Sequence, residues 1–157
     1  MNKSIELTRS QIKALQSGAT MFIFPVECSG GASWDCEKTI IKELSTIQKG
    51  DKNIFVQEEF WEHETKTVFY KTDNENIRND KSWQPASQMT KEQSRYSFNE
   101  CIDAKAIRVQ EINIKDIPKI QTEMWMFDDW YNQQMKEQNI NRTYEDNDYV
   151  FLVEFKR

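Results

Sequence analysis

The chain has 157 residues, with 26 acids against 21 bases and a formal net charge of -5. Hydrophobic residues make up only 38% and the mean hydropathy is -0.83, yet aromatics reach 12%, a content that disordered chains lack. These values exclude a generally basic nucleic-acid binder. Along the sequence no stretch approaches the roughly 18 apolar residues that a membrane span needs, the longest apolar runs being Met21–Val26 and Tyr149–Val153.

Thr8–Ser17 is predicted to be a helix: Thr8 caps it, Ile12 and Leu15 share a face, and Gly18 suits the left-handed C-terminal position. Met21–Val26 follows as a buried strand stopped by Pro25, and Cys28–Trp34 as a glycine-containing loop. Lys38–Ile47 carries Ile40, Ile41, Leu44 and Ile47 at helical spacing and predicts a second short helix. Gly50-Asp51 turns into a strand over Asn53–Glu59, where Ile54, Val56 and Glu58 alternate with Phe55 and Gln57. A turn over Glu62–Lys66 and a return strand over Thr67–Lys71 make it a hairpin. Thr72–Pro85 is an extended polar loop anchored by Ile77 and Trp83.

Ser94–Ile102 and Lys105–Gln110 read as two strands around a turn at Asp103, and Ile114–Ile120 as a helical turn interrupted by Pro118. Thr122–Gln138 is a longer helix with Met126, Phe127, Trp130 and Tyr131 on one side, where Trp125, Met126 and Trp130 read as core. Asn139–Asp148 is a polar loop, and Tyr149–Lys156 alternates as a closing strand. Short strands with helices near both ends predict one α+β domain over residues 1–157, a small mixed β-barrel with flanking helices. The N-terminus lacks the apolar stretch of a signal peptide and the three cysteines cannot all pair, which points to the cytoplasm.

Most catalytic templates are absent. His63 is the one histidine and sits in a turn-like stretch, where it reads as a solvated loop residue. Cys28 and Cys36, with Cys101 distant, match no zinc spacing, so neither a metal nor a cofactor is expected. Ser29-Gly30-Gly31 lacks the lysine and hydroxyl residue that a phosphate loop requires. Trp61 and Trp83 lie beside polar turn or loop sequence, where an aromatic either stacks on a base or plugs the rim of a small core. Glu58 shares a face with Ile54 and Val56, so its carboxylate needs a partner, which Arg95, Lys71 or Tyr70 can supply. Residues 121–149 hold seven acids and two bases, equal to the whole net charge. That stretch suits a basic protein partner, and the balanced remainder can still form a locally basic cleft.

Three blocks together carry a resemblance. The first runs Gly50-Asp51-Lys52-Asn53-Ile54-Phe55-Val56-Gln57-Glu58-Glu59-Phe60, followed by Tyr70-Lys71-Thr72-Asp73. The second is Trp83-Gln84-Pro85-Ala86-Ser87-Gln88-Met89-Thr90, continuing through Ser94-Arg95 to Arg108-Val109-Gln110-Glu111-Ile112. The third is Phe127-Asp128-Asp129-Trp130 with the terminal strand from Tyr149 to Arg157. In order and approximate spacing these resemble the ASCH family, particularly its phage and prophage members.

That resemblance implies a PUA-like β-barrel with a cleft between barrel and helix, and binding of RNA, a nucleoside or a nucleotide. Some members hydrolyse acylated cytidine, and nuclease activity has been attributed to others. Members usually carry a Gly-x-Lys-Thr stretch after the first helix. Here it reads Gly18-Ala19-Thr20-Met21, so Thr20 stands where the family has its lysine. Glu58 matches the family's acidic position. The resemblance therefore implies a binding module with Lys71 and Arg95 for phosphate and Tyr70 or Trp83 for stacking. Glu58 and Thr20 are the catalytic candidates if the protein is an enzyme.

Overall fold

Alternation in the last strand sends Phe151, Val153 and Phe155 to one face of a sheet and Val150 and Leu152 to the other, and all five are buried. A computed structural model, describing residues 3–25, 47–74, 83–121 and 126–157, shows a sheet with a hydrophobic core on each face. Five strands build it: β1 (Lys3–Glu6), β2 (Met21–Pro25), β3 (Lys52–Gln57), β6 (Ser97–Arg108) and β7 (Tyr149–Lys156). Their order is β1-β3-β6-β7-β2, with β1 parallel to β3 and every other pair antiparallel. A separate hairpin pairs β4 (Phe60–Glu62) with β5 (Val68–Tyr70).

The helix α1 (Arg9–Gln16) covers one face. Its Ile12 and Leu15 pack with Phe22, Ile54, Val56 and Phe98, and the Phe98 and Phe155 rings stack with centroids 4.1 Å apart. Thr8 and Gln11 form a reciprocal capping box at its start, and Gly18 takes φ +107° just beyond its end. The opposite face is covered by α3 (Ile117–Ile120) and α4 (Phe127–Glu137), whose Ile120, Tyr131 and Met135 meet Met21, Ile23 and Leu152. Asp128 and Asp129 occupy the first turn of α4, where the helix dipole favours acids. A one-turn helix, α2 (Lys71–Asn74), follows β5 directly. No helix among the described residues is long and apolar enough to cross a membrane.

The α+β class is the observed one, but several expectations change. The sheet is open: among the described residues no pairing joins its outer strands β1 and β2 into a barrel. The free edge of β2 is instead covered by α1, whose Gln11 side chain donates to the Ile23 carbonyl at 3.0 Å. Strand β3 does not pair with residues 67–71, because β1 and β6 already occupy both of its edges. β5 pairs with β4 instead.

The two strands expected around Asp103 are one continuous strand, since a β-bulge between Cys101 and Asp103 absorbs the irregularity without reversing the chain. Met126 precedes α4 and is 72% exposed, so it is not core. Val26, the expected loop over Cys28–Trp34, residues 38–46 of the expected second helix, Ile77 and Trp125 lie outside the described residues.

Candidate functional site

Glu58 leaves the end of β3 pointing inward and is only 2% exposed. A buried carboxylate needs compensation, and Arg95, four residues after the turn at Lys91, provides it. Arg95 donates from Nε to one Glu58 oxygen and from Nη2 to the other, both at 2.9 Å. Its remaining nitrogen, Nη1, donates to Asp73 of α2. The guanidinium lies 4.1 Å from the Tyr70 ring centroid and 4.9 Å from that of Tyr96.

Each member is held in turn. Tyr70 Oη donates to the Gln93 carbonyl at 2.8 Å, and Gln16 of α1 donates to Tyr96 Oη at 3.0 Å. Ser94 Oγ donates to the Val56 carbonyl at 2.6 Å, fixing the segment that carries Arg95 against β3. Burial lifts the Glu58 carboxyl above its ordinary range, against the hydrogen bonds and charge of Arg95. Burial also works against the Arg95 cation, but the hydrogen bonds it donates to Glu58 and Asp73 outweigh it and hold Arg95 more firmly protonated than usual. Asp73 is lowered, first of all by its hydrogen bond from Arg95.

The structure therefore brings together Glu58, Tyr70 and Arg95. Lys71 stands alongside, paired with Glu59 at 3.0 Å. Trp83 belongs to the same region through its neighbour Gln84, which bridges Phe60. Trp83 is buried, however, and offers no open face for a base; its indole Nε1–H has no hydrogen-bond partner among the described residues. Met89 and Ser87 of the same block accept hydrogen bonds from the Gln57 side chain at 3.0 and 3.3 Å, which docks that block on β3. Thr20 lies elsewhere, at the start of β2, with backbone bonds to Lys119 and Phe155. It is three strands from β3 and is not joined to Glu58.

Beside this network lies a groove of about 790 Å3 between α1 and α4. Arg9 and Lys13 line it from α1, Trp130, Gln134 and Glu137 from α4, and Glu59 closes it on the side of the Glu58–Arg95 pair. Arg9 and Lys13 are one turn apart, and Trp130, Gln134 and Glu137 follow the i, i+4, i+7 stripe, so each helix turns one polar face to the same space. Trp130 is half-buried and stacks on Phe127 with centroids 5.7 Å apart. Across the groove, the Ser10 hydroxyl donates to a Glu137 carboxylate oxygen.

Trp130, expected in the core, packs against its edge while half-buried. Glu137 was expected only as part of the acidic segment 121–149, and Arg9 and Lys13 were given no role, because polar residues on an amphipathic helix read as its solvated face. The available signal was the matching polar stripe on α1 and α4. Two cations face two carboxylates here, so the groove is charge-balanced.

The rest of the described chain offers little reactive chemistry. His63 is exposed and bonded to Thr65 within its turn. Cys101 is buried, and burial pushes its thiol up to about 11, which keeps it protonated. Among the described residues no group of three metal-ligating side chains converges. The chain matches no protein-family model, no curated protein and no solved structure.

Proposed function

We propose that the protein is a nucleotide- or RNA-binding module whose ligand lies in the groove between α1 and α4. The observation that carries this reading is the presence of an aromatic side chain, Trp130, and two cations, Arg9 and Lys13, in one groove. That combination suits a base and a phosphate together. The ASCH resemblance is in keeping with this reading: Glu59 of its first block and Trp130 of its third line the groove, and Arg95 of its second pairs with Glu58 next to Glu59. A relationship to PUA-like folds is part of the proposal, with an open sheet in place of a closed barrel.

In this reading Arg95 and Tyr70 are positioning residues. Arg95 is engaged by Glu58, Asp73 and two tyrosine rings, so it holds Glu58 and the strand end that carries Glu59 rather than a phosphate. The charge balance favours a mononucleotide or a few nucleotides over a long polyanion.

Calorimetric titration of the protein with 5′-mononucleotides and with a short single-stranded RNA tests this. Binding is expected at low ionic strength, with a shallow salt dependence. Two phosphate-contacting cations give a log–log slope of about -1.4 for a single strand. Absence of binding at low ionic strength contradicts the proposal.

A hydrolytic reading has one observation in its favour, the burial and raised pKa of Glu58. Both Glu58 oxygens are occupied by Arg95, and Thr20 is remote, so it remains the second reading. Turnover of acylated cytidine or RNA that disappears in Glu58→Gln would establish it.

A further inference from the structure

Resting on the nucleotide reading of the groove, we propose that Glu137 reads the ribose: its carboxylate accepts hydrogen bonds from the 2′- and 3′-hydroxyls of a bound ribonucleotide. Glu137 lines the groove, and its one described hydrogen bond comes from a hydroxyl group, Ser10 Oγ, reaching across from α1. Arg9 and Lys13 line the same groove, but the direct hydrogen bond described for the Glu137 carboxylate is from the Ser10 hydroxyl. The carboxylate is thus satisfied by the kind of donor that a sugar presents. Ionised carboxylates are acceptors only, with room for two such donors side by side.

The spacing suits a nucleotide. Trp130 and Glu137 lie on the same stripe of α4, separated along the axis by about 10 Å at 1.5 Å per residue. A base resting near Trp130 leaves its sugar within reach of a long acidic side chain at Glu137. Arg9 adjoins Ser10 at the same end of the groove, where a 5′-phosphate follows the sugar. A carboxylate in that position repels a long phosphodiester backbone and welcomes a free diol, so the recognised class is a ribonucleotide with open 2′- and 3′-hydroxyls. The 2′-hydroxyl, both donor and acceptor, is the group by which a protein separates ribose from deoxyribose.

The test measures the affinities of UMP, CMP, AMP and GMP against their 2′-deoxy counterparts, for the wild-type chain and for Glu137→Ala. Glu137 is exposed at the end of α4, so the substitution leaves the core intact. For at least one base, the ribonucleotide is expected to bind the wild type about tenfold more tightly, the worth of one hydrogen bond to a charged group. In Glu137→Ala that preference should shrink to about twofold or less, because the ribonucleotide loses both hydroxyl contacts and the deoxynucleotide only that of its 3′-hydroxyl. Equal binding of the ribo and deoxy forms by the wild type overturns the role of Glu137 and leaves the nucleotide reading standing. A preference that survives Glu137→Ala overturns it in the same way. If no nucleotide of either kind binds, the reading of the groove fails and this proposal with it.

Discussion

A carboxylate that is 2% exposed persists in a folded interior only when both oxygens are paired, and Arg95 supplies a hydrogen bond to each oxygen of Glu58. Removing one partner leaves the other buried and uncompensated, so Arg95→Ala should cost about 3 kcal/mol in urea unfolding. The double variant Glu58→Leu with Arg95→Met should lose less than the sum of the single losses, because neither charge is then stranded. Additive losses would show that the two residues act independently.

Asp51 is a second residue with a measurable signature. Burial acts to raise its pKa, but hydrogen bonds from Lys3 Nζ and the Gln48 amide, both at 2.7 Å, outweigh it and bring the group below the ordinary 3.8. A folded-state pKa below the unfolded value means stabilisation that is present above pH 3.8 and lost as pH falls through the folded value. Between about pH 5 and about pH 3 the wild type should therefore lose stability more steeply than Asp51→Asn. Parallel curves would contradict the assignment.

Among the elements, α1 was the most legible in the sequence, because its signals are local. Thr8 and Gln11 stand at capping-box spacing, Ile12 and Leu15 at helical spacing, and Gly18 beyond the end. Thr8→Ala should remove the side-chain cap and cost about 1 kcal/mol, read from the urea midpoint, whereas Thr8→Ser should cost little. The closing strand β7 was equally plain from its alternation. What could not be read was pairing between distant segments. β1 is short and polar enough to pass for a terminus, yet it runs beside β3. Asp103 has turn chemistry, and only its partner strand β7 shows that the chain bulges there instead of reversing. For the site, Glu58 and Arg95 were both identifiable, but the choice of Arg95 over Lys71 as partner depends on how the segment at Ser94 docks on β3. The groove was invisible because it exists only where two helices from distant parts of the chain face each other.

Across the whole molecule, the net charge of -5 proves to be largely local structure. Asp128 and Asp129 sit at the N-terminal turn of α4, Asp146 caps the turn at Thr143, and Asp148 pairs with Arg142 at 2.6 Å. These acids are accounted for by the elements they stabilise, which weakens the case for a dedicated surface toward a basic protein partner. Glu137 is the acid of that segment that turns into the groove, opposite Arg9 and Lys13. The charge that seemed to oppose nucleic acid thus leaves one balanced groove, wide enough for a nucleotide and flanked by a rigid ion-pair network.

That groove is tested most directly by equilibrium binding of 5′-mononucleotides to the wild type, Trp130→Leu and Lys13→Ala. The wild type should bind. Trp130→Leu should lose at least about fivefold in affinity, in keeping with 1–3 kcal/mol per stacked base, and exposed Lys13→Ala should weaken binding while leaving stability unchanged. Binding that is absent in the wild type, or unaffected by both substitutions, would contradict the placement of a nucleotide between α1 and α4.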